Sequence, residues 1–298
     1  MVVQVGGDRR GVYVKQPIED RHNRGLLHGR LETEFHIMKR LSGALSADEG
    51  LHVVAPIALL AEQCALVTLE TAGPTLQTLV TKATRYGAAP GRRDALRRAM
   101  VFAGTWLTNF QHTTATGKSE FDTDGLLEYC GLRFHLLSRH PGSGVDAHTC
   151  DRLMQGLEAL VRNVTPEESA IAGRHNDYAP HNIVVNEAGI WVLDFSMYDE
   201  GPICYDVCNI WLKLEGLKAS PMHSAEYVAA LQSSFLSGYA GAVSPESAGF
   251  RAARCRFTLA RMLTLLGERG RGRLLWPLHR ARYLAHRNWL YSALFGSQ

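Results

Sequence analysis

The chain has 298 residues, 46% hydrophobic and 20% charged, with a formal net charge of +3. That length suits one large domain or two lobes around a cleft, and the composition excludes extensive disorder. No basic segment followed by an apolar one stands at Met1, and the most apolar long window, residues 52–69, is broken by Pro56, Glu62 and Gln63. Neither a secretory signal nor a membrane span is therefore expected.

In chain order, Val2–Val5 alternates weakly, Gly6-Gly7-Asp8 carries turn chemistry, and residues 11–15 read as the returning strand of a hairpin that Pro17 stops. Leu31, Phe35, Ile37, Met38 and Leu41 predict an amphipathic helix over residues 31–41. Residues 53–60 and 64–69 read as strands, the second apolar except for Thr68, as a strand buried on both faces would be. Glu70-Thr71-Ala72-Gly73-Pro74 then breaks the pattern. Helical periodicity follows over Leu76–Ala83 and residues 93–113, 123–138 and 147–164. Two strands interrupt it near residues 183–185 and 191–193, around the turn Asn186-Glu187-Ala188-Gly189. Helices resume at residues 208–217, 225–239, 245–266 and about 274–294. The expected organisation is a β-rich N-terminal lobe over residues 1–70, a hinge at 71–74 and a helical lobe over 75–298.

The six cysteines (Cys64, Cys130, Cys150, Cys204, Cys208 and Cys255) are scattered without metal-site spacing. They read as buried free thiols of a cytoplasmic protein.

The most informative stretch, residues 171–196, reads IAGRHNDYAPHNIVVNEAGIWVLDFS. It places His175, Asp177 and Asn182 on a loop entering an apolar strand, and Asp194 at the end of the next strand. Any one of these residues alone is ordinary turn chemistry. Together, in this order, they have the spacing of a phosphoryl-transfer site, which needs an oriented acceptor hydroxyl and neutralised phosphate charge. Asp177 is the candidate to orient and partly deprotonate the hydroxyl. Asn182 and Asp194 are candidate magnesium ligands, supplying one amide and one carboxylate oxygen. ATP or GTP with Mg2+ is the expected cofactor pair.

On these residues the chain resembles the aminoglycoside phosphotransferase and choline kinase superfamily. Its loop often reads His-Gly-Asp with an asparagine five residues on; here Asn176 stands in place of the glycine. The resemblance implies an α+β, two-lobed protein-kinase-like fold, with a small, truncated β-rich N-lobe and a large helical C-lobe. It implies that Lys15 holds the α- and β-phosphates, paired with Glu34, Glu32 being a weaker choice. Backbone groups of Glu70 and Ala72 would pair with adenine, and His175 and Asp206 would support the catalytic loop. The family's first strand and phosphate-covering loop have no counterpart in the fourteen residues before Lys15, and Gly6, Gly7 and Gly11 form a short turn, so weak nucleotide affinity is expected. No Ala-Pro-Glu follows Asp194, which favours a small-molecule kinase over a protein kinase. A pseudokinase or nucleotide-binding scaffold without turnover is the alternative.

From Arg251 onward the chain carries ten arginines and one acidic residue, Glu268, leaving 22 basic against 28 acidic residues before it. A polycationic aminoglycoside calls for acids in its site, so that acceptor is disfavoured. An anionic sugar, or a glycolipid at the inner membrane face, fits better, with Arg254 and Arg261 as candidate acceptor-binding groups. An alternative of equal weight is a solvated helix face with snorkelling arginine stems. Nucleic acid is not expected, since no recognition motif accompanies the charge.

Overall fold

The computed structural model describes residues 2–5, 8–17, 24–45, 50–267 and 276–295. The chain forms two compact units: Met1–Ala115 with Ala172–Glu200 and Ala229–Gly241, and Thr116–Ile171 with Gly201–Val228 and Ala242–Gln298.

The first unit holds an antiparallel sheet built from β1 (Val2–Val5), β2 (Asp8–Lys15), β4 (Pro56–Leu60) and β5 (Ala65–Leu69), ordered β1-β2-β5-β4. Lys15 stands opposite Leu66, and Val14 opposite Val67. The helix predicted over residues 31–41 runs further in both directions, as α1 (Arg24–Ala44). It buries Leu31, Glu34, Ile37, Met38 and Leu41 at helical spacing. The strand expected over residues 53–60 is two strands. β3 (Leu51–Val53) pairs in parallel with β8 (Gly189–Val192), whereas β4 pairs antiparallel with β5. Pro56, lacking a backbone N–H, marks the break, and Val54 N and Ala55 O bond to different partners, Val192 O and Leu69 N. β5 starts one residue later than expected because Cys64 is in the left-handed region at φ 45°, closing the preceding turn.

β7 (Ile183–Asn186) forms the predicted hairpin with β8, giving a three-stranded sheet ordered β3-β8-β7. Behind it lie α2 (Leu76–Ala83), capped by the Thr75 hydroxyl accepting from Thr78 N at 3.2 Å, and α3 (Pro90–Thr113), with proline at its first turn. Trp106 and Phe110 of α3 stack on each other and meet Phe195, and Trp106 stacks on Tyr178. All four rings are fully buried, each contributing about 1.5–3 kcal/mol of burial energy. Tyr178 also donates its hydroxyl to Ala103 O at 2.7 Å, so the loop carrying Asp177 is anchored to α3. The first unit also contains β6 (Ile171–Arg174) except for its first residue, and most of α7 (Ala225–Gly238).

The second unit is helical: α4 (Thr123–Arg139), α5 (Ala147–Val161), α6 (Cys204–Lys218), α8 (Ala248–Gly267) and α9 (Trp276–Phe295). Leu137, Leu153, Leu157, Leu259, Met262 and Leu290 close its core. α6 begins four residues before the expected Cys208, so Asp206 lies in its first turn. β9 (Asp199–Pro202) leads into it. All six cysteines are buried. Gly6, Gly7, Arg269, Arg271 and Arg273 lie outside the described residues.

Candidate active site

Three charged side chains, from β2, α1 and the loop after β8, meet in the first unit. Lys15, at the end of β2, donates to Glu34 Oε2 at 2.9 Å, Glu34 Oε1 at 3.1 Å and Asp194 Oδ1 at 2.6 Å. Glu34 is only 2% exposed on an otherwise apolar stripe of α1, and its Oε1 also accepts from Phe195 N at 3.1 Å. Glu32, by contrast, is exposed and lies near His28. Asp194 sits at φ 63°, a left-handed conformation that aspartate tolerates better than most residues. Its Oδ1 also accepts from Ser196 Oγ at 2.6 Å. Burial alone would lower the Lys15 pKa, but the two carboxylates outweigh it and leave it raised. Burial pushes Asp194 up, and the bonds from Lys15 and Ser196 outweigh that, so it is held below the usual carboxylate range. Burial raises Glu34 against the pull of Lys15.

These groups open onto a cleft of about 450 Å3. Its polar lining includes Lys15, Glu34, Asn182 and Asp194, and its apolar walls include Met38, Leu66, Val184 and Leu193. Glu70 lines this cleft, whereas Ala72 lines an adjoining hollow of about 300 Å3 that Glu70 shares. Glu70 N donates to Gly11 O at 2.8 Å, and Ala72 O accepts from Asn186 Nδ2 at 3.0 Å.

The loop between β6 and β7 carries the other motif residues. His175 is fully buried against Phe195, and its Nε2 donates to Leu193 O at 2.8 Å, tying the loop to the residue before Asp194. Burial lowers its pKa, so the ring is neutral at neutral pH. Asp177 Oδ2 accepts from Asn182 Nδ2 at 3.0 Å. The same nitrogen donates to Asp177 O at 3.0 Å, which turns the amide oxygen of Asn182 to the opposite side. Asp177 retains a 39% exposed side chain and does not line the 450 Å3 cleft.

Two features escaped the sequence reading. His181 donates to Asp177 Oδ2 at 3.0 Å, adding a second orienting contact to that carboxylate. Asn176 sits at φ 61° and donates to Met197 O and Asp199 Oδ1, both at 2.7 Å, while Arg174 grips Asp199 with two bonds of 2.7 and 2.8 Å. The signal for the second was present. A position often filled by glycine suits a left-handed residue, and asparagine is well suited to that backbone while adding hydrogen bonds.

Asp206 is 1% exposed in the second unit. On α8, Arg254 stacks over Trp289 at 4.0 Å and Trp211 at 4.6 Å, and burial lowers its pKa to about 10 against the pull of Glu215. Arg261 is exposed and lines a cavity of about 390 Å3, whereas Arg254 lines a neighbouring one of about 270 Å3.

Hard oxygen donors suit magnesium, which binds through one or two carboxylates plus phosphate rather than a closed protein cage. Asn182 and Asp194 line one cleft and offer this donor set. Among the described residues, no group of three or more histidine, cysteine or acidic side chains forms a cage. Nor is any described helix long and apolar enough to cross a membrane.

A 75-residue segment is 32% identical to the N-acetylmuramate/N-acetylglucosamine kinase of Pseudomonas aeruginosa, covering 25% of this chain and 22% of that protein. Among solved structures, a glucosamine kinase in complex with glucosamine, ADP and inorganic phosphate superimposes with a TM-score of 0.63 at 15% identity, over 87% of this chain and 73% of that one. A thermostable mutant of an aminoglycoside phosphotransferase gives 0.54 at 13% identity (99% and 90%), and the choline kinase LicA from Streptococcus pneumoniae gives 0.52 at 14% (98% and 93%). These likenesses establish the α+β kinase-like fold expected from the sequence. Residues 2–253 match the profile of the phosphotransferase enzyme family, and the chain belongs to that family.

Proposed function

We propose that the protein is an ATP- and magnesium-dependent kinase that transfers the γ-phosphate to a hydroxyl of a sugar-class small molecule or glycan. The observation that carries this reading is the Lys15–Glu34–Asp194 cluster on a cleft that Asn182 also lines. An ammonium fixed by two carboxylates is a preorganised cation for α- and β-phosphates. The apolar walls suit a purine, with Glu70 O and Ala72 N as its backbone partners. A magnesium ion held by Asn182 and Asp194 would neutralise phosphate charge. Asp177, oriented by Asn182 and His181, accepts the proton as the acceptor oxygen bonds to the γ-phosphorus. The bond from that phosphorus to the bridging oxygen breaks, and ADP leaves. His175 and Asp206 support the loop. The 71–74 segment is the hinge between a nucleotide lobe over 1–70 and a catalytic and acceptor lobe over 75–298.

The sugar kinases among the similar proteins support a sugar acceptor. The arginine-rich C-terminal segment supports one carrying negative charge, with Arg254 and Arg261 as candidate binding groups. A cytoplasmic location, with contact to an anionic membrane face if the acceptor is a glycolipid, follows from the same reading. The test is nucleotide consumption by the wild type and Asp177→Ala with glucosamine, N-acetylglucosamine, N-acetylmuramate, choline and an aminoglycoside. Acceptor-dependent turnover lost in Asp177→Ala is expected. Equal background rates in both proteins across all acceptors would leave only a nucleotide-binding scaffold.

A further inference from the structure

Within the second unit, α6, α8 and α9 enclose the cavity of about 390 Å3, separate from the residues assigned to nucleotide and metal. Its polar lining includes Asn209 and Lys213 from α6, Thr258 and Arg261 from α8, and Arg282 and His286 from α9. Three of these are cations, and no acidic side chain is among the lining residues. Glu215, which pairs with Lys218 at 2.7 Å, lines the neighbouring cavity of about 270 Å3 together with Arg282 and His286. Thr258 is fully buried, yet its hydroxyl makes no hydrogen bond among the described residues. Burial, and then the guanidiniums of Arg261, Arg254 and Arg282, press the His286 pKa down to about 4. At neutral pH its imidazole can therefore donate a hydrogen bond without adding charge.

We propose that this cavity binds an oxyanion group, a phosphate monoester or carboxylate, carried on a soluble molecule of monosaccharide size. Lys213, Arg261 and Arg282 neutralise it, and Thr258, Asn209 and His286 supply neutral hydrogen bonds. The size follows from the volume. At about 30 Å3 per water the cavity holds roughly 13 waters, more than an isolated phosphate or carboxylate needs and enough for an attached ring. Binding here does not require turnover at Asp177, so this proposal and the phosphotransferase reading fail separately.

The experiment is calorimetric titration of the full chain with glucose 6-phosphate, glucuronate, inorganic phosphate and glucose. Saturable binding of an anionic sugar, but not of glucose, is expected. Arg261→Gln should weaken it about tenfold through loss of a charge-assisted contact. Thr258→Val, nearly isosteric and removing an unpartnered hydroxyl, should keep the fold and also weaken binding. Arg256→Gln should bind as the wild type does, because that guanidinium lies over Tyr129 at 4.1 Å and does not line the cavity. ATP binding should be unchanged in all three. No saturable binding of either anionic sugar at millimolar concentration overturns the proposal. So does undiminished binding in both Arg261→Gln and Thr258→Val, or binding of inorganic phosphate alone.

Discussion

Replacing Glu34 with glutamine tests the charge cluster most directly, because it changes one buried charge at nearly constant shape. Glu34 receives two bonds from Lys15, at 2.9 and 3.1 Å, and one from Phe195 N at 3.1 Å. A glutamine carbonyl can keep one or two of these contacts, but the amide nitrogen cannot accept from an ammonium. Hydrogen bonds to charged groups contribute about 1.5–3 kcal/mol each, and relief of the burial cost that raises the Glu34 pKa offsets part of the loss. The net stability cost works out at about 2 kcal/mol. Asp194 would then be the one carboxylate among these contacts still paired with Lys15, drawing the ammonium toward the proposed metal ligand. If the same 2 kcal/mol is lost from the transition state, kcat/KM for ATP falls about 30-fold, at 1.36 kcal/mol per factor of ten. Urea unfolding and steady-state turnover at saturating acceptor measure the two effects, with Glu32→Gln as the exposed control. A folded Glu34→Gln protein with kcat/KM within twofold of wild type would refute the reasoning, as would a larger effect from Glu32→Gln.

Two further predictions concern stability. Gly73 has φ 141°, and an added Cβ would stand 2.5 Å from Val185 O, so Gly73→Ala should cost at least about 2 kcal/mol, read as a lower urea midpoint; an unchanged midpoint would contradict the rigid packing of the 71–74 segment against β7. His286 faces Arg254 and Arg261 of α8, Arg282 of its own helix and Glu215 of α6, and its folded pKa of about 4 lies below its ordinary 6.5. Between those values the unfolded chain binds the extra proton, so stability should rise with pH across that window and fall on acidification. The amplitude is about 3 kcal/mol, and His286→Asn should flatten the slope in urea unfolding measured from pH 4 to 6.5; an identical slope would remove His286 as its source.

The fold was legible where local pattern and tertiary environment agree. The β7–β8 hairpin follows from two apolar runs around Asn186-Glu187-Ala188-Gly189, and the buried stripe of α1 follows from residues 31–41. It was less legible where pairing partners lie far apart in sequence. Nothing local in residues 51–60 says that β3 pairs with β8, about 140 residues away, while β4 pairs with β5. Helix ends shifted by a few residues because capping and packing, more than periodicity, decide them, as α6 shows by beginning at Cys204.

The sequence by itself determined the chemistry. The order and spacing of His175, Asp177, Asn182 and Asp194 carry the pattern expected of a phosphoryl-transfer loop, and the chain belongs to the phosphotransferase enzyme family. The resemblance already preferred Glu34 to Glu32, and the tertiary structure supplies the physical reason: Glu34 lies on the helix face buried against Lys15, whereas Glu32 is exposed. The tertiary structure alone gave Asn176 a role, through contacts with Met197 and Asp199 more than twenty residues on. And it alone separated the C-terminal arginines, stacking Arg254 between two tryptophans while Arg261 lines a cavity without acids. Charge pattern is written along the chain, but which charges are buried, stacked or left to meet a ligand depends on three-dimensional packing.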